Sequence, residues 1–344
     1  MSRHNAPNNP LSSKILLGIV LVLLSAVFLA LQNVISRLFF VPSDLFGHIR
    51  MGGWLSSQFS NIIMLLAMRM ALMAVMLAIV APHLHRQTFS NIRQLTKDLR
   101  LLCYVVGSGA CLSVGLTALY FSLSQVVAGV AIATFFIYPA ITLLLAWYFL
   151  RQRPQAYQLC LTLVIFFGVI LTTQGAAADT TVPSNPTLGI LGGLIAGLSF
   201  GIYGIFAELV LQPSTSNSNR AQNHRQPLHP VPFSLVTFVV VSTLGGVSLL
   251  FMPAIEVAAI AWPPILLVTI LSAFITVIAY VLNNSGIRLI GASLTALISA
   301  SAPALTALFA WFALQESLQS QQVLGIALVT AGVATLSIKT KQQR

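Results

Sequence analysis

Amide and phenol side chains recur at helical spacing inside otherwise apolar stretches of this sequence. Groups three or four residues apart share one face of a helix, and a polar face in lipid must turn toward other protein or toward water. An amide is costly to bury in hydrocarbon without a partner, whereas it can hydrogen-bond a small polar solute. We therefore predict a solute-binding set made of Gln32, Asn33, Tyr120, Tyr138, Tyr203, Tyr280, Asn283 and Asn284. The alternative is that these groups only join one helix to another.

Arg69 lies in the middle of the apolar stretch 66–72, where an arginine costs about 2.5–3.5 kcal/mol on insertion scales. Two interpretations remain open: the guanidinium contacts an anionic solute, or it bonds to backbone carbonyls of a neighbouring helix. No Asp or Glu is predicted at mid-depth, since Glu208 falls near a helix end and Glu316 falls outside. Proton-driven carriers usually need such a group. If the chain is a carrier, this pattern favours a facilitator or exchanger over a proton antiporter.

Patterns typical of catalysis, cofactor binding or metal binding are not found in the sequence. Its three cysteines all fall inside apolar stretches without metal-ligand spacing. His83 and His85 could hold a metal, but a solvated pair in a loop is the more common arrangement. We predict no enzyme activity, no cofactor and no metal.

Composition predicts a membrane protein. Of the 344 residues, 57% are apolar and 7% are charged, against roughly 25% charged in soluble domains. The net charge of +11 indicates a membrane surface and no nucleic-acid partner, because the basic residues lie between apolar stretches. Stretches of about 20 apolar residues are long enough to cross a bilayer. They predict an all-α integral membrane protein of ten helices at 15–36, 60–80, 101–121, 126–150, 157–174, 187–211, 233–252, 264–287, 290–314 and 321–338.

Three polar segments interrupt this pattern. Residues 1–14 are rich in Pro and Asn and 212–232 are of low complexity, so both are predicted to be disordered. Segment 38–60 is predicted to be a loop lying partly in the membrane interface, with Phe46 and Trp54 as anchors.

Basic residues fix the predicted orientation. With the N-terminus inside, all of the 17 lysines and arginines except Arg37, Arg50 and Arg69 fall in cytoplasmic segments. Such a bias predicts a multi-pass protein of the inner (plasma) membrane with both termini cytoplasmic.

The chain contains an internal repeat. The stretch from Pro139 to Leu150 returns from Pro303 to Leu314, with Pro, Ala, Thr, Leu, Ala, Trp and the final Leu coinciding at an offset of 164 residues (303 − 139). We predict two repeats, 15–174 and 187–338, with five helices each. Because five is odd, the second repeat inserts inverted, and two inverted repeats enclose a central cavity. The two prolines are predicted to kink their helices as hinges or, alternatively, to serve packing alone.

These residues carry a family resemblance that covers nearly the whole chain. The run 118–123 with Ala128, Pro139, Trp147 and Gly168 resembles the EamA domain of the drug/metabolite transporter superfamily, as does the run 285–294 with Pro303, Trp311, Glu316, Gly325 and Gly332. The resemblance implies ten helices, a central pocket and export or exchange of small polar metabolites. It also implies a recurrent arginine in the helix that holds Arg69. Gln152 departs from the pattern, since such repeats often carry the acidic residue found at Glu316.

The sequence therefore predicts a transporter that moves a small polar metabolite, an amino-acid-like compound, outward by alternating access. Its partners are a small-molecule substrate and the lipid bilayer, and it is a monomer or homodimer. An exchanger of phosphorylated or nucleotide-linked metabolites is the alternative among transporters. A non-transporting membrane scaffold or sensor is the alternative of another class.

Overall fold

The computed structural model describes residues 10–40, 42–56, 58–125, 134–150, 155–174, 186–212, 227–299 and 301–314, with single residues and short runs between 320 and 335. Almost all of this chain is helical. The helices are α1 Pro10–Phe40, α2 Phe59–Leu84, α3 Thr88–Leu95, α4 Leu99–Gln125, α5 Tyr138–Leu150, α6 Ala156–Gln174, α7 Pro186–Leu211, α8 Pro230–Leu249, α9 Trp262–Ile290, α10 Ala292–Ser299 and α11 Ala302–Leu314. A short 3₁₀ turn, Ala259–Ala261, precedes α9.

Seven stretches in this part of the chain are long and apolar enough to cross a membrane, so the predicted multi-pass, all-helical class is supported. They are Lys14–Phe40, Phe59–Leu84, Leu99–Ser122, Thr187–Leu211, Pro230–Leu249, Ala259–Ile290 and Ala292–Ala313. Of the other predicted spans, residues 126–133 and most of 321–338 lie outside the described residues.

The segment predicted as a loop at 38–60 contains a small antiparallel hairpin. Its strands are β1, Ser43–Leu45, and β2, Ile49–Met51. The half-buried Trp54 packs edge-on against the buried Phe39. This side chain, predicted as an anchor in the membrane interface, therefore contacts protein. The Phe46 ring lies against Phe312, and the Phe46 N–H donates to the Ala313 carbonyl. This segment therefore joins the C-terminal end of α1 to the C-terminal end of α11.

Parts of the segments predicted to be disordered are ordered in the structure. Helix α1 already begins at Pro10. Near the other segment, the buried Leu228 donates its N–H to the Val210 carbonyl, and α8 begins at Pro230. Residues 1–9 and 213–226 lie outside the described residues.

The long helices pack in pairs. Helix α1 lies along α9, α4 along α7, and α2 along α8, and these three are the most extensive helix contacts of the described chain. The largest buried cluster lies among α2, α4, α7, α8 and α9, and it includes Tyr120, Tyr203 and Tyr280. Three of the predicted solute-binding tyrosines therefore share one interior.

Pro139 and Pro303 do not occupy the mid-helix positions predicted from sequence. Pro139 is the second residue of α5, and Pro303 is the second residue of α11. At these positions the missing N–H is one that a helix start leaves unpaired in any case. In the second half α10 ends at Ser299 and α11 begins at Ala302, so Pro303 lies at the start of a separate helix and does not bend a continuous one. The bounds of α5 and α11 coincide after the 164-residue offset of the repeat (138 + 164 = 302, 150 + 164 = 314).

A close backbone approach fixes α2 against α8. A Cβ at Gly245 would lie 2.9 Å from the Cβ of Ala67, which has no side chain that can move aside. The Ser242 hydroxyl donates to the Ala67 carbonyl at 3.2 Å in the same contact. Because Ala67 stands two residues before Arg69, this contact also sets the position of that arginine.

We expect Gly245→Ala to lower the thermal stability of the purified protein, while the adjacent Gly246→Ala does not. The first substitution overpacks the contact with Ala67, which typically costs about 1–3 kcal/mol. The second puts its methyl into open space and gains up to about 1 kcal/mol of helix propensity. Thermal unfolding in detergent measures both variants, and equal stabilities would contradict the contact.

Candidate solute-binding site

Arg69 lies near the middle of α2 and is buried, with 2% of its surface exposed. Its Nη1 donates to the Ser36 hydroxyl on α1 at 3.3 Å. The guanidinium carbon lies 5.6 Å from the ring centre of Tyr120 on α4, a distance at which a cation and an aromatic face attract each other. Three helices therefore hold this side chain. The hydroxyl of Ser36 takes the place of the backbone carbonyls that were one of the two predicted contacts.

Gln32 and Tyr280 complete the surroundings of this arginine. The Nε2 of the buried Gln32 donates to the same Ser36 hydroxyl. The phenol of Tyr280 on α9 interacts electrostatically with both Arg69 and Tyr120. We call these five residues the Arg69 cluster: Gln32, Ser36, Arg69, Tyr120 and Tyr280. Gln32, Arg69, Tyr120 and Tyr280 were named from the sequence as candidates for solute contact. Ser36 is the fifth member, and it lies one helical turn after Gln32 on α1.

A second polar chain joins three helices beside the Arg69 cluster. The Tyr203 hydroxyl on α7 donates to Oδ1 of Asn284 on α9 at 2.8 Å. Nδ2 of Asn284 in turn donates to the Ser234 hydroxyl on α8 at 2.8 Å. Asn284 is fully buried, and both ends of its amide have protein partners. In this conformation the amide links helices, which was the alternative left open by the sequence.

The remaining predicted residues lie apart from the Arg69 cluster. Asn283 accepts a hydrogen bond from Ser299 on α10 at 3.3 Å, and the Tyr138 hydroxyl donates to the Ala296 carbonyl at 3.4 Å. Asn33 is exposed on α1 and donates to Thr306 on α11 at 3.3 Å. All three therefore bind to α10 or α11.

Two side chains near the end of α7 stabilise the break between α9 and α10, and sequence reasoning gave neither a site role. Oε2 of the buried Glu208 accepts the N–H of Ala292, the first residue of α10, at 2.8 Å. Gln212 donates to the Ile287 carbonyl near the end of α9 at 3.0 Å. Gly291 between them has φ = 87°, which L side chains rarely adopt. In the sequence, the spacing of about one helical turn between Glu208 and Gln212 indicates that the two polar side chains share a face.

His85 pairs with His229, which is distant in sequence, and not with His83. The rings of His85 and His229 stack at 4.1 Å with an angle of 3° between their planes. His229 caps α8 by accepting the Val231 N–H on Nδ1. Burial, together with the neighbouring His85 and Arg288, lowers the pKa of His229 to about 4. Within the described residues no group of three or more metal-binding side chains is found.

Comparison with known proteins explains this architecture. Residues 16–174 and 224–338 match the EamA-like transporter family. The chain belongs to the EamA-like transporter family. It is 33% identical, over 95% of both chains, to an uncharacterized transporter, sll1319, of Synechocystis sp. (strain ATCC 27184 / PCC 6803 / Kazusa). It is also 29% identical to the uncharacterized transporter YyaM of Bacillus subtilis (strain 168), over 58% of this chain and 61% of that one.

A solved crystal structure has the same fold. It covers 96% of this chain and 99% of its own length, with a TM-score of 0.66 at 15% sequence identity. The EamA-like family and the membrane-length helices together show a multi-pass membrane transporter. The Arg69 cluster and the Tyr203–Asn284–Ser234 chain are among the polar groups that the described part of this transporter places in its interior.

Asn284→Leu is expected to destabilise the protein more than Thr243→Val does. The first change leaves the Tyr203 and Ser234 hydroxyls without their partner, at about 1–3 kcal/mol for each stranded buried group. The exposed Thr243 bonds only the Val239 carbonyl of its own helix, so its loss has little effect. Thermal unfolding in detergent would compare the two, and an unchanged melting temperature in Asn284→Leu would exclude the linking role.

Stability is expected to fall as the pH drops from about 6.5 toward 4, in part because of His229. Its pKa in the folded protein is below its ordinary value of 6.5. The neutral ring therefore stabilises the fold above pH 6.5, and that contribution is lost as the pH falls through about 4. His229→Asn keeps a capping side chain but does not titrate. Its melting temperature should depend less on pH across this window than that of the wild type, and parallel pH curves would refute this contribution.

Proposed function

We propose that this EamA-family protein exports an amino-acid-like metabolite by alternating access between two inverted five-helix repeats. The observation that carries the proposal is the Arg69 cluster. It draws Gln32, Ser36, Arg69 and Tyr120 from the first half of the chain and Tyr280 from the second. A polar site shared by both halves is the arrangement that lets each side of a transporter open in turn.

Helix packing supports the inverted repeats. If residues 15–174 and 187–338 are the two repeats, α1 corresponds to α7, α2 to α8, and α4 to α9. Exchanging the halves turns the α1–α9 contact into the α7–α4 contact and leaves α2–α8 unchanged. The α1–α11 and α5–α7 contacts exchange in the same way. These exchanges support a two-fold relation between the two halves of the described chain.

The two prolines are proposed as hinges at the starts of their helices. Pro139 is the second residue of α5, and Pro303 is the second residue of α11, which begins three residues after α10 ends at Ser299. A break between two helices accommodates a change of angle more readily than a continuous helix, because fewer backbone hydrogen bonds oppose it. Asn283 and Tyr138 bind to α10 beside this break, so they are proposed to respond to the same movement.

Orientation in the inner membrane is proposed from the basic residues. Arg86, Arg93 and Arg100 flank the α2–α4 connection, and Arg288 lies at the end of α9. These residues fall on one side if α1 runs from the cytoplasm outward. A cytoplasmic N-terminus follows from the preference of such loops for that side.

The alternatives differ in what they need from the interior. An exchanger of phosphorylated or nucleotide-linked metabolites needs several cations. The described part of the chain buries one basic side chain, Arg69. A scaffold or sensor has no need of a buried arginine without a protein counter-ion, which costs several kcal/mol to keep.

Counterflow into proteoliposomes tests the proposed transport. We expect saturable uptake of labelled amino acids into vesicles preloaded with an unlabelled amino-acid pool, and not of nucleosides, sugar phosphates or nucleotide sugars. Gln32→Leu should reduce this uptake strongly, because it removes a polar contact that holds Ser36 beside Arg69. Thr243→Val, on the exposed face of α8, should transport as the wild type does.

Vesicles without protein set the background for this experiment. Preferred uptake of sugar phosphates or nucleotide sugars would replace the proposed substrate class by the phosphorylated one. Uptake of no pool by protein with an intact thermal transition would favour the scaffold or sensor.

A further inference from the structure

We propose that Arg69 is the anchor for a carboxylate group, so that the solute carried by this protein is a small carboxylic acid in its ionised form. The inference rests on the proposed transport function and names the charged group that the site binds. It starts from an imbalance in the interior: a cation is held at mid-depth, and nothing in the described protein neutralises it.

The missing counter-charge is the first observation. Among the described residues the buried charged side chains are Arg69 and Glu208. Glu208 lies near the end of α7 and accepts the Ala292 N–H, whereas Arg69 lies near the middle of α2. In this part of the chain the guanidinium donates to the hydroxyl of Ser36 and lies near the ring of Tyr120. Neither carries a charge. An anion bound here would therefore meet a full, uncompensated positive charge.

The second observation is that one edge of the guanidinium has donors without hydrogen-bond partners. Nη1 is occupied by Ser36, but Nε is buried and makes no hydrogen bond within the described structure. Nη2 has no hydrogen-bond partner there either. Nε and Nη2 form the side of the guanidinium that binds a carboxylate through two parallel hydrogen bonds. A buried donor left without a partner costs about 1–3 kcal/mol, and more when it is charged. A carboxylate at this edge would remove that cost.

The cluster also fixes the direction of this edge. Ser36 accepts from both Gln32 and Arg69, which keeps Nη1 on the α1 side. Tyr120 packs near the guanidinium carbon from α4. Because two neighbours restrain the plane and its rotation, the Nε–Nη2 edge is oriented before the solute arrives. Such preorganisation reduces the entropy lost on binding.

The charge balance favours a carboxylate over a phosphate. A phosphate monoester carries close to two negative charges at neutral pH, and one arginine would leave part of that charge buried without compensation. The hydroxyls of Tyr120 and Tyr280 are each without a hydrogen-bond partner in the described structure, and each residue retains 8% of its surface exposed. These neutral donors suit the remaining lone pairs of a carboxylate.

The first test uses the wild-type protein without any substitution. Purified protein in detergent is heated with propionate or with propionamide, which has nearly the same shape but no charge, at constant ionic strength set with chloride. We expect a saturable rise in melting temperature with propionate and none with propionamide. Equal shifts from the acid and the amide would overturn the inference.

The second test separates a binding arginine from a structural one. Arg69→Met replaces a buried, uncompensated charge by an apolar chain of similar length, so without ligand its melting temperature should equal or exceed that of the wild type. Its apparent affinity for propionate should fall about 10- to 100-fold, the loss expected for charge-assisted hydrogen bonds. Arg69→Lys keeps the charge but loses the Nε–Nη2 edge, so its apparent affinity for propionate should lie between those of the wild type and Arg69→Met. A lower melting temperature of Arg69→Met without ligand would instead assign Arg69 a structural role and overturn the inference.

The transport assay distinguishes failure of this inference from failure of the proposed function. Saturable amino-acid counterflow that is unchanged in Arg69→Met would keep the transporter and overturn the carboxylate anchor. Stabilisation by propionate that depends on Arg69, without uptake of any pool, would keep the anchor and overturn the transport proposal.

Discussion

A charged group inside a bilayer must be stabilised by something other than water, and Arg69 imposes this constraint on the whole interior of the protein. The guanidinium lies on α2, its hydrogen-bond partner Ser36 on α1, and its aromatic partner Tyr120 on α4. None of these contacts exists unless the three helices pack at fixed depth and rotation. The Gly245–Ala67 approach fixes α2 against α8 two residues before the arginine. A close approach of two small residues therefore positions the buried arginine.

The same constraint governs the breaks in the helices. Where α9 ends and α10 begins, backbone groups lose their partners within the helix and water is not at hand to replace them. Glu208 accepts the first N–H of α10 and Gln212 donates to a carbonyl at the end of α9. Glu208 lies in the last turn of α7, and Gln212 directly follows that helix. The two side chains therefore lower the cost of this interruption.

Much of this architecture could be read from the chain. Apolar length predicted the membrane-length helices that the described chain contains, and the repeat predicted that 139–150 and 303–314 adopt the same structure, which they do within α5 and α11. The prediction for the prolines was wrong in position. The stretch 290–314 contains no charged residue, so its hydropathy does not mark the point at which one helix ends and the next begins. Segment 38–60 showed no alternation strong enough to predict the hairpin.

The sequence by itself determined which residues are too polar for lipid and on which helices they lie, because hydrophobicity and helical spacing are local properties. It therefore predicted Gln32, Arg69, Tyr120 and Tyr280 as members of one interior. Only the tertiary structure decided their partners. Asn284 and Asn283 are neighbours in the chain, but one joins Tyr203 to Ser234 and the other accepts from Ser299. His85 likewise meets His229 and not His83. Hydrogen bonds are directional and short, so the rotation and depth of each helix select the pairs, and those follow from packing across the whole bundle.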